Sequence, residues 1–307
     1  MLEKILQQLK DSTLIISIIV GLIFHKWLGP LNVTVPYMIF IMLFITFCKI
    51  SPKDLKITRL HITLFSIQFI GCFVCYIIFK YLSHSEDVAQ SIFICILMPS
   101  ATSSAVVTGL LGGNVAFLTS YLLLANIGTS LLGPLFFSFI NPEHISFWTS
   151  VGSISLKIIP VLLTPLLLAW ILQWVWPKGH EYVKSKSKLS FYLWAISLTI
   201  IIGTTFNKLL QSNENIWLEI SLTLIALAVC LTQFGVGKLV GKHYGELIAG
   251  GQALGQKNTI LGIWLAQSYL VPSTSIALIA YIIWQNIVNS LQITLKSHRD
   301  RKLKKQE

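Results

Sequence analysis

Residues 250–259 read GGQALGQKNT, and they interrupt an otherwise apolar run from Tyr244 to Leu270. The glycines and amides have the composition of a loop. The flanks, YGELIA and ILGIWLAQSYL, have that of one buried helix. Lys257 stands thirteen residues from each end of the run, about 20 Å at the 1.5 Å rise of a helix. If the run crosses a bilayer, its stem is too short to reach water, so the amine must face protein, water or a ligand. Gly250, Gly251 and Gly255 each weaken a helix by about 1 kcal/mol relative to alanine. The adjacent Gln256, Lys257 and Asn258 can satisfy backbone groups that an unwound stretch would free.

Composition makes the run a membrane segment. Of 307 residues, 54% are hydrophobic and 11% charged, against about a quarter charged in a soluble domain. So much apolar surface cannot be hidden in a water-soluble core, and the chain is an integral membrane protein. A spanning helix needs about 20 mainly apolar residues. Ten segments qualify: 12–29, 35–49, 61–82, 88–110, 115–140, 148–176, 189–208, 216–236, 244–270 and 273–295. Residues 1–11 form an amphipathic start suited to the membrane surface. The chain then divides into 12–140 and 148–295, five segments each, and a basic tail at 296–307. Cys48, Cys72, Cys75, Cys95 and Cys230 lie within apolar segments and read as small buried hydrophobes. The histidines fall in loops or near segment ends. Neither residue type suggests a metal site, and no cofactor is expected.

Lys and Arg set the orientation. Lys4 and Lys10, the 49–59 and 178–188 loops, Lys238 and Lys242, and the tail from Lys296 hold 18 of the 23 basic residues. The alternate loops hold three: Lys26, Lys80 and Lys208. The positive-inside rule then puts both termini in the cytoplasm of a multi-pass protein of the cell (inner) membrane. The net charge of +11 is topology rather than a sign of nucleic-acid binding. Two lysines remain inside segments. Lys157 lies nine residues from Trp148 and is within snorkelling reach of the interface. Lys257 is not.

A second interruption has the same character. In MPSATSSAVVTG, Pro99 removes a donor and disfavours helix at Met98, and Ser100, Thr102, Ser103 and Ser104 crowd the next turn. The two interruptions fall in the fourth and the ninth of ten segments, the same place in each half. That pairing points to an inverted-repeat transporter with its site near the midplane. An all-α fold follows: ten transmembrane helices in two inverted five-helix repeats, with discontinuous helices 4 and 9 crossing.

Several motifs fall in matching segments. They are Gln68-Phe69 in the third, Pro99 to Ala105 in the fourth, Gly112 to Phe117 before the fifth, Ala253 to Asn258 in the ninth, and Trp284-Gln285-Asn286 in the tenth. At these residues the chain resembles the bile acid:sodium symporter family. The resemblance implies panel and core domains, alternating access, and an organic-anion substrate, from steroid acids to small carboxylates. It nominates Thr102, Ser103, Ser104, Lys257, Asn258, Gln285 and Asn286 as substrate contacts.

The departures from the family pattern agree with one another. One family sodium site uses a serine and an asparagine of the fourth span, two fifth-span hydroxyls and a ninth-span glutamate. Ser104 is retained, while the other positions are Ala105, Leu118, Leu122 and Ala253. The second site uses that glutamate, a third-span glutamine and a ninth-span glutamine. Gln68 is retained, and Lys257 stands at the last position. The resemblance therefore implies a divergent member that sodium does not drive. Three roles for Lys257 stay open: a tethered substitute for the coupling cation that also faces the anionic substrate, a carrier of a coupled proton, or a structural donor to broken-helix carbonyls.

An enzyme is excluded by inventory, since HExxH, paired intramembrane aspartates, a nucleophile elbow and a phosphate loop are all missing. The alternatives are a non-transporting sensor or binding protein on the same fold, and an auxin-efflux-like carrier with the same ten-helix plan. Expected partners are the lipid bilayer and the organic anion. The oligomeric state is open, and a monomer satisfies the sequence.

Overall fold

The computed structural model describes residues 16–50, 56–140, 146–211 and 216–303. The amphipathic start at 1–11 lies outside the described residues. The protein is an all-α membrane protein. Six helices among the described residues are long and apolar enough to cross a bilayer.

The helices follow one another in chain order. α1 covers 16–23, and α2 (His25–Leu28) leads through a 3₁₀ turn (Gly29–Thr34) into α3 (Val35–Phe47). α4 (Arg59–Ser83), α5 (Glu86–Leu97), α6 (Ser103–Leu111) and α7 (Val115–Ile140) follow. The second half holds α8 (Phe147–Leu162), α9 (Thr164–Val175), the short α10 (Pro177–Ser185), α11 (Ser187–Gln211), α12 (Ile216–His243), α13 (Leu247–Gly255), α14 (Thr259–Tyr269) and α15 (Thr274–Leu303).

Both expected interruptions are real breaks. α5 stops before Pro99, and α6 resumes at Ser103; α13 stops at Gly255, and α14 resumes at Thr259. A third break divides the 148–176 segment, the longest of the ten, at Leu163, between Pro160 inside α8 and Pro165 in the first turn of α9. The tenth segment does not end at 295. α15 runs on to Leu303, and Lys296 Nζ donates to the Leu110 carbonyl at 2.9 Å, so the basic tail begins as helix docked on α6. Lys157 is exposed on α8.

The glycines of α13 correct the sequence reading. The helix continues through Gly250 and Gly251, so they do not unwind it. They allow close approach. A Cβ on Gly250 would lie 2.4 Å from the Gly237 carbonyl oxygen and 2.9 Å from Gly241 Cα, and one on Gly237 would lie 2.3 Å from the Gly250 carbonyl oxygen. Gly237 and Gly241 form a small-xxx-small face that seats α13 against α12 backbone to backbone. Gly255 meets the Phe234 ring in the same way.

Packing sorts the helices into two groups. α4, α5, α6, α7, α12, α13, α14 and α15 pack among themselves around the breaks, while α2, α3, α9 and α11 pack together. Gln267 of α14 links the groups: its Oε1 accepts from Asn32 Nδ2 at 3.2 Å, and its Nε2 donates to Thr205 Oγ1 at 2.9 Å.

Candidate functional site

The two breaks meet. Ser100 and Lys257 form an antiparallel bridge. Ala101 N donates to the Gln256 carbonyl, and Asn258 N to the Pro99 carbonyl, both at 2.8 Å. α5 packs on α14, and α6 on α13, so the two broken helices cross at their unwound residues. Such a crossing has a fixed chemical need, because a half-helix leaves its last carbonyls without intrahelical donors. In a membrane interior those carbonyls must find partners in the protein.

At the end of α5 every carbonyl from 94 to 99 finds one. Ile94 accepts from Met98 N at 3.3 Å, and Cys95 from Gln233 Nε2 at 2.9 Å. Ile96 accepts from Lys257 Nζ at 2.8 Å. Leu97 and Met98 accept from Gln68 Nε2 at 2.8 and 3.0 Å, and Pro99 from Asn258 N. The end of α13 is served likewise. Ser100 Oγ donates to Ala253 O at 2.6 Å, Tyr281 OH to Gly255 O at 2.9 Å, and Gln285 Nε2 to Lys257 O at 3.3 Å.

Lys257 is 1% exposed, which makes it one of the largest fully buried side chains. Its amine lies at the C-terminal end of α5, where the helix dipole is negative and favours a cation. Its backbone N–H donates to Gln285 Oε1 at 2.8 Å. Gln256 Nε2 reaches Ser103 Oγ at 2.8 Å, and Asn258 Oδ1 caps α14 by accepting from Leu261 N at 3.3 Å. Ser104 is buried and donates to the Ala101 carbonyl at 2.6 Å. Thr102 is the half-buried residue leading into α6.

The structure therefore gathers Ser103, Ser104, Lys257, Asn258 and Gln285 around the crossing, with Thr102 at its edge. Asn286 is left out: it is exposed, and its amide donates to its own helix at Ile282 O, 2.7 Å away. Gln285, one residue earlier and about 100° around the helix, reaches the break instead. Gln233, Gln256 and Tyr281 belong to the crossing, although the motif comparison does not nominate them. Gln256 stands in the polar interruption itself, and a glutamine inside an apolar run was the signal that could have found Gln233.

The positions that hold sodium ligands in the resembled family do not fit sodium here. Leu118 and Ala253 are fully buried, and with Ala105 they join an apolar cluster containing Leu60, Leu64, Phe117 and Tyr121. Leu122 packs into the main core. Gln68 turns its nitrogen to the break and accepts from Tyr121 OH at 2.7 Å through its oxygen. The Gln68 oxygen is thus occupied by a hydroxyl donor, and Ala105, Leu118, Leu122 and Ala253 present hydrocarbon.

Gln68→Leu is expected to lower stability by a few kcal/mol, since each buried orphaned group costs about 1–3 kcal/mol, here Leu97 O, Met98 O and the Tyr121 hydroxyl. Thermal unfolding in detergent measures it. An unchanged midpoint would show that Gln68 does not hold the break together.

No curated protein matches the chain. The SBF-like CPA transporter family (DUF4137) matches over residues 12–295, which takes in both broken helices and every helix packed on them. Over nearly its whole length, then, this chain belongs to that transporter family, a relative of the bile acid:sodium symporters.

Proposed function

We propose that the protein is a secondary transporter that moves a small or amphipathic organic anion by alternating access, with Lys257 as a tethered replacement for a coupling cation. One observation carries this reading. A buried lysine amine is bonded to the end of a broken half-helix, at the crossing of a chain whose family is one of transporters. An ammonium there supplies the charge of a bound cation permanently and keeps further N–H donors for a ligand.

The remaining features support the same reading. Ten spans in two inverted repeats of five would make the paired breaks equivalent by a pseudo-twofold axis, and the reciprocal bonds Ala101–Gln256 and Pro99–Asn258 have that form. With both termini cytoplasmic, the junctions at Gly112–Asn114 and Tyr244–Glu246 face inward, tied by Asn114 Nδ2 donating to Glu246 Oε1 at 2.7 Å. The Gln267 clasp, at the other end, then holds the outer side closed. The ends of α6 and α14 that point to the crossing are N-termini, whose dipoles favour an anion.

Radiolabelled uptake into proteoliposomes tests the reading, with a panel of organic acids and imposed Na⁺ or pH gradients. Saturable uptake of an anion without a Na⁺ requirement is the expected result. Binding of an anion with no uptake under any gradient would favour a sensor on the same fold. Thermal stability is also expected to respond to Na⁺ no more than to K⁺. A Na⁺-specific stabilisation that saturates would show a ligand set other than the one occupied here. Ala253→Glu with Lys257→Gln restores part of one ion site, and that double variant is expected to gain Na⁺ dependence of uptake.

A further inference from the structure

α15 has two faces. Ile283, Ile287, Leu291 and Leu295 are exposed, as suits a lipid-facing side. Gln285, Asn289, Gln292 and Lys296 recur at i, i+4, i+7 and i+11 and share the opposite side. That side looks toward α13 and α6. Gln252 Nε2 donates to Asn289 Oδ1 at 2.9 Å, and one turn on, Gln256 reaches Ser103. Thr108 and Ile248 both flank Gly113, which sets Thr108 one turn from Gln252. Lys296 closes the row on Leu110 O. The result is a wedge of polar side chains running from Lys257 to Lys296.

Most of these groups are only half satisfied. Gln252 Oε1, Gln256 Oε1, Thr108 Oγ1, Asn289 Nδ2 and Gln292 Nε2 are buried without a hydrogen-bond partner. Gln252 and Thr108 are 0% exposed, and Gln256 and Asn289 4%. Buried polar atoms are nearly always paired, and helix–helix packing in a membrane needs no such row. The unpaired set mixes donors with acceptors, and a lysine stands at each end.

We propose that α6, α13 and α15 enclose a hydrated, amide-lined track that joins the crossing to the aqueous phase at Lys296, and that it admits a small carboxylate that itself carries hydrogen-bond donors, such as a hydroxy acid. The chemistry selects that class. Amides offer both donors and acceptors, which suits water and a hydroxylated anion better than a steroid, whose rings need an apolar lining. Lys296 at the mouth favours anions over cations. The ligand class rests on the transporter reading above; the hydration of the track does not.

Cysteine accessibility in proteoliposomes tests both parts. Asn289→Cys and Gln292→Cys are treated in turn with an anionic and a cationic methanethiosulfonate. Ile287→Cys serves as the lipid-facing control and the unsubstituted protein as background. Both track positions are expected to react while Ile287→Cys does not, with the anionic reagent favoured at least tenfold relative to a free thiol. Lactate is expected to slow the reaction and cholate to leave it unchanged. A lack of reaction at both positions in variants of normal thermal midpoint, or a preference for the cationic reagent, would overturn the track. Protection by cholate alone, or none by lactate, would overturn the ligand class. Labelling and lactate protection without uptake in the same vesicles would sink the transport reading and leave the track standing.

Discussion

Lys257→Ala is expected to weaken anion binding ten- to a hundredfold, since a hydrogen bond to a charged group is worth about 1.5–3 kcal/mol. The fold should suffer as well. Truncating a long buried side chain leaves a cavity that costs about 2–5 kcal/mol, and the Ile96 carbonyl loses its donor. Two further variants separate these effects. Lys257→Met keeps the stem and removes the charge. It should recover most of the lost stability, because a buried charge is itself costly, without recovering binding. Lys257→Arg keeps a charge in a larger, planar head and should retain part of the binding at a cost in packing. Isothermal titration with a transported acid and thermal unfolding give the two readouts. Unchanged affinity in both Lys257→Ala and Lys257→Met would reduce the lysine to a structural donor. A lysine that stays charged throughout gives uptake that is flat between about pH 6 and 8. A proton-carrying lysine gives uptake that changes sigmoidally in that window, and the change disappears in Lys257→Met.

The second large effect is expected at the contact between α12 and α13. Gly237→Ala would place a Cβ 2.3 Å from the Gly250 carbonyl oxygen, and neither partner is a side chain that can swing aside. α12 and α13 must separate, at the upper end of the about 1–3 kcal/mol typical of overpacking. Since α13 carries Lys257 to the end of α5, the separation should also reduce uptake. Gly235→Ala is the control. It lies two residues away in the same helix with nothing within 4 Å of the added Cβ, and alanine favours the helix by up to about 1 kcal/mol. That variant is expected to be neutral or slightly more stable, with normal uptake. Equal behaviour of the two variants, in melting temperature and in uptake, would show that the close packing of α12 on α13 is not what positions the crossing.

The asymmetry between Gly235 and Gly237 illustrates what the linear sequence contains and what it lacks. Membrane character, the apolar segments, the breaks beside Pro99 and Lys257, and the depth of that lysine were all legible. Each depends on composition or on local backbone chemistry: hydropathy sums along the chain, a proline removes its own N–H, and a charge thirteen residues from either end of an apolar run is deep whatever surrounds it. The third break at Leu163 had local causes too, in Pro160 and Pro165, which flank it in a segment of 29 residues, long enough to be broken. Other features exist only between elements. Gly250 and Gly251 suggest unwinding in sequence and serve close packing in the fold, because the α12 backbone lies against them. Gln285 rather than Asn286 meets the break because one residue turns a side chain about 100° around a helix, and no motif sets that phase. Gln68 keeps its identity but turns its nitrogen to the carbonyls, since Tyr121 and the end of α5 decide which of its atoms is wanted where. From the linear chain alone it follows that an amine lies deep in an interrupted apolar segment. Which carbonyl holds that amine follows from the fold, because hydrogen-bond partners are chosen by the meeting of helices far apart in the chain.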